Sequence, residues 1–139
     1  MSRVLILDNE PIQALLDSQH PKHRIVMAYL EVPARRNRRK TGSLIVLVPT
    51  TVRVEAGWDR TATISSAVNR LPITDDALTT DKADSAAKLR NTLLVSPADA
   101  HIGAVMRTAE GEVSILTSDL GDLRRIAQTT ARTITIARI

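Results

Sequence analysis

Acidic residues stand at four points of this chain where an alternating strand–helix fold would bring them together. Asp8 follows an apolar run at residues 4–7, and Glu55 lies two helical turns beyond a second run at 44–48. Asp99 sits just past Ser96-Pro97-Ala98, and Asp119 comes two residues after Thr117, which ends a further β-rich run. Asp122, one turn beyond Asp119, is a candidate fifth. Carboxylates crowded into one place repel one another and hold raised pKa values unless a cation neutralises them, and hard oxygen ligands suit Mg²⁺ or Mn²⁺. The chemistry open to such a set is that of a bound divalent ion, which activates water and offsets developing negative charge.

Each acid also has a local reading. Asp8 or Asn9 suits the cap of a following helix, Asp99 is the acid of a capping box opened by Ser96, and Asp119 with Asp122 fits a capping pattern as well. Convergence of the set therefore depends on the elements around it. Apolar runs at 4–7, 44–48 and 112–116 read as strands, with a short edge strand at 71–74 next to Pro72 and a closing one at 133–137. Between them the apolar spacing predicts helices from Pro11 through Leu16, over 22–31 before Pro33, over 51–68, over 76–92, from Ser96 onward, and over 120–128. Strands alternating with helices predict an α/β domain with a largely parallel sheet between helical layers. The loops leaving the carboxyl ends of such strands share one edge, where ligand sites form. Asp8 and Asp119 leave strands at that edge, Glu55 can point back over it, and Asp99 begins a helix running antiparallel to the next strand.

Composition narrows the classes. With 139 residues, one domain spanning 1–139 is expected. The apolar content is nearly all aliphatic, with no Phe, one Trp and one Tyr, so an aromatic base-stacking surface is hard to build. No cysteine is present, which rules out disulfides, thiolate catalysis and Cys-ligated zinc. The longest membrane-like run, 44–48, is too short to span a bilayer, and strand-like sequence starts at Arg3, so we expect no signal peptide, no membrane contact and a cytoplasmic address. A formal charge of +4 and the stretch ARRNRRK at 34–40 suit an anionic partner. Arg35, Arg36, Arg38, Arg39 and Lys40 are the candidate phosphate contacts, with a plain solvated loop as the alternative. His101 reads as a partly exposed helix histidine, His20 and His23 as solvated residues flanking Pro21, and Trp58 as packing.

Four segments, LILDNEP, PTTVRVEAGW, SPADAHIGAVM and ILTSDLGDLRRIA, resemble in order and approximate spacing the acidic motifs of PIN-domain ribonucleases, especially VapC-like toxins of type II toxin–antitoxin systems. The resemblance runs from Val4 to the end, and TSDLGDL is its most specific piece. It implies a three-layer α/β/α PIN-like domain with a mainly parallel five-stranded sheet ordered 3-2-1-4-5. It makes Asp8, Glu55, Asp99 and Asp119 the catalytic acids, with Asp8, Asp99 and Asp119 holding Mg²⁺ or Mn²⁺ and Thr117 and Asp122 supporting the last motif. It further implies an RNA substrate, a homodimer and a small cognate antitoxin. Departures are Asn9-Glu10, where small or hydroxyl residues are commoner, the neighbour His101, and the basic stretch. Alternatives within the fold are a housekeeping RNA-processing nuclease and a non-catalytic binding protein. The opening VLILDNEP also looks like a response-regulator receiver, a phospho-acceptor switch, but Pro49-Thr50-Thr51 follows the second long run where the acceptor Asp belongs, and no Lys occurs after Lys88.

Overall fold

Buried on both faces, the parallel strands of this protein carry apolar side chains without alternation, as Val4, Leu5, Ile6 and Leu7 of the first strand show. The computed structural model describes residues 2–39 and 44–139, except for the side chains of 32–39. Strands β1 (Arg3–Leu7), β2 (Leu44–Pro49), β3 (Ile73–Asp76), β4 (Glu112–Thr117) and β5 (Ile134–Arg138) form one sheet, every neighbouring pair parallel, in the order β3-β2-β1-β4-β5. A receiver has the order 2-1-3-4-5, so that alternative is excluded.

The chain moves toward the β3 edge through α1 (Asn9–Leu16), α2 (His23–Arg39), α3 (Thr50–Ala56) and α4 (Ser66–Asn69). It returns through α5 (Thr80–Leu93) and α6 (Pro97–Thr108), and α7 (Gly121–Ala127) joins the last two strands. Right-handed crossovers put these two sets on opposite faces of the sheet. Ile6, Leu7, Ile102, Met106, Ile115, Leu116, Leu123 and Ile126 fill the aliphatic core.

Four expected elements differ. The helix expected over 51–68 stops at Ala56, because Gly57 takes the left-handed conformation (φ 70°) and Asp59 folds the next residues by accepting from the Thr61 amide and hydroxyl. Trp58 then organises the irregular stretch. Its buried ring lies under the Arg60 guanidinium, 4.1 Å from the ring centre, and Asp75 pairs with both Arg60 and Arg53. The edge strand runs over Ile73–Asp76, beyond Pro72, which has no amide to give the ladder, and the next helix begins only at Thr80, with Thr79 capping it. Helix α2 continues through Pro33 to Arg39. One interior proline has a bounded cost of about 3 kcal/mol, and the Ala and Arg residues after it are good helix formers. Most of the basic stretch is thus helix where a loop is expected; the side chains of Arg35, Arg36, Arg38 and Arg39, and Lys40 altogether, lie outside the described residues.

Gly111 matters for the site because it fixes how β4 meets β1. Its φ is 80°, and a Cβ there would overlap the carbonyl oxygen of Ser2, a backbone atom with no freedom to swing aside. The same carbonyl accepts from the Glu112 amide at 3.1 Å, setting the register that places Arg3 opposite Glu112 and Leu7 opposite Leu116. We expect Gly111→Ala to lower stability by about 2 kcal/mol or more. Urea unfolding measures this, and an unchanged midpoint would contradict the account.

Candidate active site

At the carboxyl end of β1 the chain turns into α1 with Asp8 in the cap position, yet its carboxylate does not cap the helix. It accepts a hydrogen bond instead from the Thr117 hydroxyl at 2.7 Å, across 109 residues of sequence. Asp8 and Thr117 are both buried. The Thr117 oxygen in turn accepts from the Asp119 amide at 3.0 Å, and Asp119 Oδ1 accepts from the Gly121 amide at 3.2 Å. Thr117 thus joins the end of β4 to the end of β1 and shapes the turn that presents Asp119.

Electrostatics locate the other acids. Burial pushes the Asp8 carboxyl up and the Asp119 charge adds to this, while the Thr117 hydroxyl and the Asn9 amide offset part of the rise. Glu55 on α3 is raised by desolvation and then by Asp8. Asp99, in the first turn of α6, is pushed from 3.8 to about 7 by burial first, then by the charges of Asp8, Asp122 and Glu55, against a weaker lowering by Ser96. Its local role holds as well, since the Ser96 side chain accepts from the Asp99 amide at 3.1 Å. Asp8, Glu55, Asp99, Asp119 and Asp122 therefore act on one another across one edge of the sheet. Asp122 also pairs with Arg125 at 3.0 Å.

By type, the donors are those that a hard divalent cation takes. Carboxylate oxygens dominate the set, and among the described residues the Asn9 Oδ1 beside Asp8 is a buried oxygen with no hydrogen-bond partner. Asn9 departs from the motif's commoner residues, and its type alone gave no sign of this position. No three of the described carboxylates or imidazoles stand close enough to form a ready-made metal cage.

Other expectations meet corrections here. His101 is fully buried, where partial exposure is expected. Its Nδ1 lies 2.8 Å from Thr51 Oγ1 and its Nε2 3.3 Å from Asp76 Oδ1. His20 and His23 are half-buried and bonded, His20 to Glu10 at 3.3 Å and His23 through Nδ1 to the Ala14 carbonyl at 2.8 Å. Trp58 is core, as expected. No helix among the described residues is long and apolar enough to cross a membrane.

No family model matches this sequence, and no curated protein matches it. Among solved structures, the chain is similar to the crystal structure of VapBC2 from Rickettsia felis bound to a DNA fragment from their promoter. That match has a TM-score of 0.60 and 14% identity, and it covers 98% of each chain. The fold is PIN-like. At that identity the likeness speaks for the architecture alone, and function rests on the residues.

Proposed function

We propose that this protein is a divalent-metal-dependent endoribonuclease, the toxin of a toxin–antitoxin pair. The observation that carries the reading is the electrostatic coupling of Asp8, Glu55, Asp99 and Asp119 at the carboxyl edge of a PIN-like sheet. Asp8, Asp99 and Asp119 would hold Mg²⁺ or Mn²⁺, which supplies a water of lowered pKa and neutralises charge on the scissile phosphate. Thr117 keeps Asp8 aimed at the site, Glu55 orients metal or water from the rim, and Asp122 adds negative charge behind Asp99. An antitoxin partner is supported by the VapBC2 complex that shares the fold. RNA as substrate and a homodimer are implied by the motif resemblance, and a cytoplasmic address goes with that substrate.

Purified protein with Mg²⁺ or Mn²⁺ is expected to cleave RNA, and Asp8→Asn to abolish the cleavage. Activity that survives both EDTA and this substitution rejects the proposal. The open spacing of the acids favours one second reading, a PIN-fold binding protein without turnover. Mn²⁺ calorimetry separates the two: a working site binds the ion, and a degenerate one does not.

A further inference from the structure

Helix α6 faces two ways. Asp99 looks toward Asp8 and Asp122, while His101, about 200° further round the helix, looks toward β3 and α3. Asp76, at the end of β3, is held by Lys82 Nζ, 2.7 Å from each carboxylate oxygen. A carboxylate so paired only accepts, so Nε2 of His101 donates to it. Nδ1 is then left to accept the Thr51 hydroxyl, and one tautomer and one ring orientation are fixed. Thr51 lies one turn before Glu55 on α3, and on a helix residues four apart share a face. The imidazole therefore ties the helix carrying Asp99 to the helix carrying Glu55, and anchors both to the sheet edge. A leucine would fill the same volume with no polar partners to satisfy, whereas this histidine engages side chains from two other elements, Thr51 of α3 and Asp76 of β3.

We propose that His101, oriented by Asp76 and bonded to Thr51, is a positioning residue that sets the separation of Glu55 and Asp99 and so the affinity of the site for a divalent cation. This rests on the metal-dependent reading above. The experiment is Mn²⁺ calorimetry with thermal unfolding and RNA cleavage on the whole protein and on Thr51→Val, Thr51→Ser and His101→Leu. Thr51→Val keeps the side-chain shape without the hydroxyl, so it is expected to weaken Mn²⁺ binding about tenfold while the melting temperature stays close to that of the native protein. Thr51→Ser keeps the hydroxyl and is expected to bind as the native protein does. His101→Leu is expected to repeat the loss. Native Mn²⁺ affinity in folded Thr51→Val and His101→Leu overturns the positioning role alone. A native protein that neither binds Mn²⁺ nor cuts RNA overturns the metal-dependent reading, and the positioning role with it.

Discussion

Replacing Asp99 with Asn is expected to raise the melting temperature of the metal-free protein at pH 8 by several degrees while removing metal-dependent RNA cleavage. Both effects come from the same charge. Burial and the neighbouring Asp8, Asp122 and Glu55 hold the Asp99 pKa at about 7, against 3.8 for an ordinary aspartate. Between those values the folded protein keeps a proton that the unfolded chain has released, so the contribution of Asp99 to stability falls as pH rises from about 4 to about 7 and stays low above it. Asp99 is only partly buried, so solvent screening discounts that shift and leaves on the order of 1–2 kcal/mol. Asn keeps the shape and removes the repulsion, and the first-turn amide bond to Ser96 does not need the charge. The same change deletes a proposed metal ligand, so cleavage is expected to fall by about 10³-fold or more. Calorimetric melts at pH 5 and pH 8 with a cleavage assay read both effects. A variant that melts like the native protein at pH 8 and still cuts RNA contradicts the account of Asp99 entirely.

Mn²⁺ affinity is expected to rise about tenfold per pH unit up to about pH 7 and to level off above it, because the ion must displace the proton held by Asp99. Asp8 and Glu55 are shifted in the same direction and steepen the acid limb. Binding at pH 6.5 should therefore release a proton, seen as a dependence of the calorimetric heat on the ionisation enthalpy of the buffer. Asp99→Asn should flatten the profile. An affinity that does not change from pH 5.5 to pH 8 means that the carboxylates are not the ligands.

Signals that depend on near neighbours were legible in the sequence. The run ending at Asp8 is a strand because its side chains are apolar on both faces, and Ser96 with Pro97 starts a helix through a bond three residues long. The alternation of elements, and with it the parallel sheet, followed from such local patterns. Legibility failed where a local signal met a distant one. Pro33 does not end α2, and Gly57, an ordinary helix-stop residue, halts a helix whose apolar pattern reads as continuing.

The sequence by itself supplied the acids, their helices and strands, and the edge they share, since chain direction and element order are properties of short segments. Only the tertiary structure placed the Thr117 hydroxyl against Asp8, raised the Asp99 pKa to about 7 by burying it and then by setting it near three other carboxylates, and buried His101 among Thr51, Asp76 and the core. Those facts depend on register and on packing between residues tens of positions apart. A charge or a hydroxyl has no partner until the chain closes around it, and which partner it finds is decided by the whole sheet.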